Sequence, residues 1–217
     1  MIRSFNFILT ILIVSIISIS SPKAEIDIGY ARQTGWSDNF FLENPKGWTL
    51  YLSKSLSQKM SVRFSFSRLD NSITFIGTMV GGLIPPEVEL TWELIRSDLN
   101  VKMYEFSLYH ALVEGNKMRL DLGGAVGVAD FDLSSKGLTT RIVRGRNQDA
   151  VFVSYAVDVT VKEFIFSPLA LRIGYQHRNM QTQNSNLHAF AAFSEVSYSN
   201  IRIDILARFN AGSDYLY

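Results

Sequence analysis

Met60-Ser61-Val62-Arg63-Phe64-Ser65-Phe66-Ser67 sets four apolar side chains against three serines and an arginine in strict alternation. Successive side chains of a β-strand point to opposite faces, so the stretch reads as a strand with one apolar and one polar face. Working outward, Ile26, Ile28 and Tyr30 oppose Glu25, Asp27 and Gly29, while Trp48, Leu50 and Leu52 oppose Gly47, Thr49 and Ser53. Tyr104 to Leu108, Met118 to Val128, Val151 to Val159, Leu169 to Tyr175 and Ile201 to Phe209 repeat the pattern. Segments of about ten residues suit a tilted strand that crosses a membrane.

A soluble β-sandwich also alternates, so the period alone does not decide between the two. Three features favour a barrel in a membrane. Charges of both signs lie opposite the apolar face in nearly every strand, large aromatics sit near strand ends, and a secretory leader precedes the strands. The leader is Arg3, the apolar run Phe7 to Ile19, and then Ser20-Ser21-Pro22-Lys23-Ala24. A basic head, an apolar stretch and a small residue make a signal peptide with cleavage expected after Ala24. Facing one another in a narrow lumen, Glu25, Asp27, Glu105, Asp121, Asp158 and Asp204 would neutralise Arg63, Arg119, Arg172, Arg202 and Arg208.

Of the 217 residues, 47% are hydrophobic and 12% aromatic, with a formal net charge of +1, which gives nucleic-acid binding no basic face. The chain has no cysteine, which excludes disulfides, thiolate metal sites and a lipidated cysteine. Short connections at Leu56-Ser57-Gln58, Glu114-Gly115-Asn116 and Lys162 to Phe166 alternate with longer ones at Trp36 to Lys46, Asn71 to Asn100 and Asp132 to Asp149. Short turns belong to the periplasmic side of such barrels and long loops to the outer side, which puts the amino terminus in the periplasm. Segment counting gives nine strands with Leu187 to Tyr198, and ten if Glu87 to Leu94 is separate. An even number is required. The expected fold is all-β, a transmembrane antiparallel up-and-down β-barrel of eight to ten strands, with residues 1–24 as signal peptide and 25–217 as the barrel domain.

The strand length, alternation, loop asymmetry and Gly123 to Gly127 resemble the small OmpA/OmpX-type outer-membrane barrels. That resemblance implies a monomer in the outer membrane of a Gram-negative cell, with a structural or surface-interaction role, no catalysis and no cofactor. Gly212, Tyr215 and Tyr217 resemble the terminal signal that the barrel-assembly machinery reads from the periplasm. Leu171 to Asn179 with the following polar loop resembles the lipid A deacylases, whose His-x-Ser-Asn strand faces lipid. That resemblance implies His177 as the base, but Asn179 stands where the nucleophilic serine would be, and an amide cannot accept an acyl group. A lipid A modifying enzyme and a narrow pore are therefore the alternatives. His110, His177 and His188 form no recognisable metal motif. The basic residues Arg141, Arg144 and Arg146 form a candidate anion-binding loop, with lipopolysaccharide phosphates and outer-membrane lipid as the expected partners.

Overall fold

The structure, a computed structural model, describes residues 24–37, 44–81, 89–138, 143–165, 168–182 and 195–211. The leader through Lys23, Arg141, and the terminal Gly212, Tyr215 and Tyr217 lie outside these residues. Eight strands follow one another: β1 Ala24–Ser37, β2 Lys46–Ser55, β3 Met60–Gly81, β4 Glu89–Glu114, β5 Met118–Gly137, β6 Val143–Val161, β7 Leu169–Thr182 and β8 Glu195–Ala211. Each pairs antiparallel with the next, and β8 returns to β1 to close the barrel. Closure leaves no open edge through the barrel wall, so the backbone satisfies its own hydrogen bonds there.

The strand number is thus eight. Glu87 to Leu94 is no separate strand, because β4 runs unbroken from Glu89. Nor is the end of Leu187 to Tyr198, since Glu195 to Tyr198 opens β8 in phase with Ile201 to Phe209. The expected long loops Asn71 to Asn100 and Asp132 to Asp149 are mostly paired strand, with β2 accompanying β3 only as far as Asp70. Arg144 and Arg146 accordingly lie in β6 and not in a loop.

Partners traced once around the wall run Ile26, Lys54, Val62, Leu108, Gly124, Tyr155, His177, Ser199 and Trp36, returning to β1 ten residues beyond the start. Eight strands with that stagger tilt by roughly 35–45° and enclose a lumen wide enough only for side chains. Large inward residues fit it because glycines face them. A Cβ on Gly123 would overlap the Tyr109 ring, and one on Gly127 would overlap Phe152, whereas Gly124 faces outward into open space. The Gly123→Val variant should lose about 1–3 kcal/mol of stability. Urea unfolding in vesicles checks this, and Gly123→Val combined with Tyr109→Leu should cost less than the two changes added together.

Candidate functional site: a filled lumen and an outward wall

Parity sorts the chain into an apolar outside and a charged inside. Ile28, Val126, Val153, Ile203 and Ile205 are exposed on the outer surface, whereas Arg178, Arg202, Asp158 and Glu105 are buried in the lumen. This inverts the usual distribution in water and suits a hydrocarbon surround. The outward run Val151 to Val159 covers roughly 25 Å along its strand.

Within the lumen, side chains from opposite walls meet. Arg63 of β3 donates through Nη1 to Asp158 of β6 at 2.9 Å, and Gln176 of β7 donates to Glu105 of β4 at 2.8 Å. The Arg63 guanidinium also donates to Tyr109 Oη at 2.9 Å and lies 4.0 Å from that ring's centroid. Arg202 takes the other Asp158 oxygen at 2.8 Å and donates to Gln176 Oε1 at 3.0 Å. Arg178 shares that Gln176 oxygen at 2.8 Å, reaches Glu105 at 3.1 Å and donates to Asn200 at 2.9 Å, which in turn donates to Gln33 at 2.9 Å. Near the short-turn end Arg208 pairs with Asp27 at 2.9 Å and Glu25 at 3.3 Å, and Arg119 with Asp121 at 2.7 Å.

All eleven charges expected in the lumen belong to this inward face, and Arg178, Gln176, Asn200 and Gln33 join them. Their parity could have found these four. Asp204 faces Arg202 and Arg172 as expected, but both its carboxylate oxygens are buried without a hydrogen-bond partner among the described residues.

Above the network lies an apolar layer that the sequence reading missed, with Leu69, Val101, Met103, Phe131, Phe152, Met180 and Tyr198 packed together. Its signal is an inversion of the alternation. On β4 the outward even positions Leu108, Phe106 and Tyr104 are apolar, but the next ones, Lys102, Asn100, Asp98 and Arg96, are polar. At the same level the inward odd positions change from Ser107 and Glu105 to Met103, Val101 and Leu99. The same switch occurs on β3 after Phe66 and on β5 after Val128. It marks where the surround changes from hydrocarbon to water. The outward polar wall carries its own ion pairs, Arg68 with Asp70 at 3.4 Å and Arg96 with Asp98 at 3.1 Å. A Ser72 hydrogen bond, aided by Arg96, holds the Asp98 carboxyl below its ordinary range. Past that wall the outward face turns apolar again, with Ile76 72% and Trp92 77% exposed beside Leu94.

His177 lies half-buried on the outer face of β7. Its Nδ1 is 2.8 Å from Ser199 Oγ on β8, and the Tyr155 ring is 5.1 Å away between centroids. Tyr175 Oη lies 3.3 Å from the same serine oxygen. Among the described residues no carboxylate lies within ion-pair distance of His177, and none forms a cluster able to hold a metal. Position 179 supplies an amide, so the deacylase pattern is not assembled here.

These features define the fold of the small outer-membrane β-barrels. Solved structures share it. The attachment invasion locus protein Ail of Yersinia pestis matches with a TM-score of 0.51 and 14% identity over 88% of this chain and all of its own. A major outer membrane protein of Thermus thermophilus matches with a TM-score of 0.53 and 11% identity over 86% of this chain and 99% of its own. Neisserial surface protein A matches with a TM-score of 0.51 and 10% identity over 86% and 97%. No protein-family model and no curated protein sequence matches the chain.

The network predicts unequal costs for its two central aspartates. Asp158→Asn leaves Arg63 and Arg202 short of a buried counter-charge and should cost about 3–5 kcal/mol, whereas Asp204→Asn should cost less than about 1 kcal/mol. Urea midpoints of the two variants in vesicles measure the difference.

Proposed function

We propose that this protein sits in the outer membrane as a closed barrel whose role is to present the outer part of β3 to β6 for contact with another surface, without catalysis and without conducting solutes. The observation that carries the reading is the β3–β4 hairpin. From Arg68 to Gly81 it continues past the point of inversion for roughly 40 Å of paired strand and exposes Ile76, Trp92 and Leu94 near its end. Exposed apolar side chains rimmed by a polar wall are what an interaction surface provides, and the pairing of β3 with β4 places Ile76 opposite Leu94. The leader, with cleavage after Ala24, and the terminal Gly212, Tyr215 and Tyr217 support export and assembly in that membrane. Two structural neighbours, an attachment invasion locus protein and a surface protein, agree with a contact role.

Against a pore stands the direct contact of opposite walls at Arg63 with Asp158 and at Gln176 with Glu105, under an apolar layer. Against a lipid A deacylase stands Asn179. The His177–Ser199 bond sets a hydroxyl beside the imidazole, but among the described residues no acidic group lies within ion-pair distance to orient that imidazole for acyl transfer.

Cells displaying the wild-type barrel should bind epithelial monolayers above vector controls, and Ile76→Ser with Trp92→Ser should reduce binding at least about fivefold while surface display is unchanged. Purified protein should give no steady conductance in planar bilayers and release no fatty acid from lipid A. Unchanged adhesion in the double variant would contradict the contact reading, and conductance or deacylation would favour an alternative.

A further inference from the structure

Two outward rows in β-register bracket the point of inversion. The inner row, Tyr30, Leu50, Phe66, Tyr104, Val128 and Val151, is apolar or aromatic. Two residues further out the row reads Arg32, Trp48, Arg68, Lys102, Asp130 and Asp149, with Lys46 just beyond Trp48. Cations therefore gather on β1 to β4 at one level, and β5 and β6 carry carboxylates at that same level. Neighbouring strands lie about 4.8 Å apart, so Arg32, Arg68 and Lys102 span roughly 15 Å. Trp48 packs edge-on against Phe66 at 5.4 Å, and Phe66 against Tyr104 at 5.0 Å, forming an aromatic floor under the cations.

Arg32, Lys46 and Lys102 are exposed and, among the described residues, have no carboxylate within ion-pair distance. Arg68 has only the exposed Asp70 at 3.4 Å, and Asn100 also donates to that carboxylate. An exposed pair of this kind holds its arginine weakly. Cations at the edge of an apolar band stand level with lipid headgroups, and a guanidinium matches the geometry of a phosphate.

We propose that Arg32, Lys46, Arg68 and Lys102 form a binding arc for the phosphates of lipid A in the outer leaflet, with the acyl chains lying along the aromatic floor. The proposal rests on the outer-membrane reading above, and it names a binder distinct from the expected Arg141, Arg144 and Arg146. A headgroup phosphate reaches one arginine and its neighbouring lysine together, and the acidic side of the row at Asp130 and Asp149 repels the same ligand.

The test uses the full barrel refolded in neutral detergent and titrated with lipid A, bound lipid being counted by native mass spectrometry. Arg32→Gln with Arg68→Gln and Lys102→Gln should weaken binding at least about tenfold, whereas Lys136→Gln, farther out on the same wall, should leave it within about twofold. Dephosphorylated lipid A should bind wild type no better than it binds the triple variant, and millimolar inorganic phosphate should not displace lipid A. Equal affinity of wild type and triple variant overturns the arc, and displacement by inorganic phosphate overturns its lipid origin. Heat-modifiable migration checks folding. If the triple variant does not fold, Arg32→Gln and Lys102→Gln alone should each weaken binding about threefold, and no change in either overturns the proposal. Fractionation of wild-type cells is read separately: a soluble periplasmic location defeats the outer-membrane reading, and an outer-membrane location with unchanged affinity defeats only the arc.

Discussion

The bond from Arg63 across the lumen to Asp158 is the constraint from which the rest of the structure follows. Eight strands closed with a ten-residue stagger leave no room for bulk water, so inward side chains fill space and inward charges pair across the lumen, as Arg63 with Asp158, or along the wall, as Arg119 with Asp121 and Arg208 with Asp27. Three arginines, Arg63, Arg172 and Arg202, converge within ion-pair distance of the Asp158 carboxylate. Gly123 and Gly174 leave room there for Tyr109, Asp158 and Arg202, and Gly127 leaves room for Phe152 of the apolar layer above. Pairing of this kind yields little net stability over an apolar filling, but breaking one member is costly, which fixes register and closure together.

The same constraint separates lumen from surface. Among the described residues the interior is taken up by its own pairing and capped by Leu69, Val101, Met103 and Phe152. The proposed contacts fall to outward residues: the aromatic and basic rows near the inversion, and the hairpin end at Ile76 and Trp92. The His177, Ser199 and Tyr175 contacts belong to this surface as well, at the level where amphipathic side chains settle between hydrocarbon and water.

The barrel was legible in the sequence because the hydrocarbon-facing half of each strand keeps a constant polarity. Met60 to Ser67 shows both faces at once, and the inward charges follow from the same parity. The strand count and the outer hairpins were not legible in that way. Beyond the girdle the sign of the alternation reverses, so the stretch from Asn71, with Ser72 and Thr74, reads as the start of a long loop although it continues the outer face of β3. Leu69, Leu99 and Val101, which that alternation assigns to no apolar face, form the cap. Trp92 and Leu94 reverse the sign once more, which made the start of β4 look like a strand of its own. The cross-lumen partners of Gln176 and Arg178 depend on stagger and closure, which no local pattern encodes. The lack of a hydrogen-bond partner for Asp204 among the described residues is likewise a matter of three-dimensional placement.

Because the chain lacks cysteine, single cysteines can be introduced along β8 at positions 201 to 206 and labelled with nitroxides in a lipid bilayer. Collision with oxygen and with a water-soluble relaxation agent then reports what each face meets. The account predicts oxygen access at 201, 203 and 205, and protection from both agents at 202, 204 and 206. Access of the water-soluble agent to 202 or 204 would show an open lumen, and loss of the two-residue period would contradict the barrel itself.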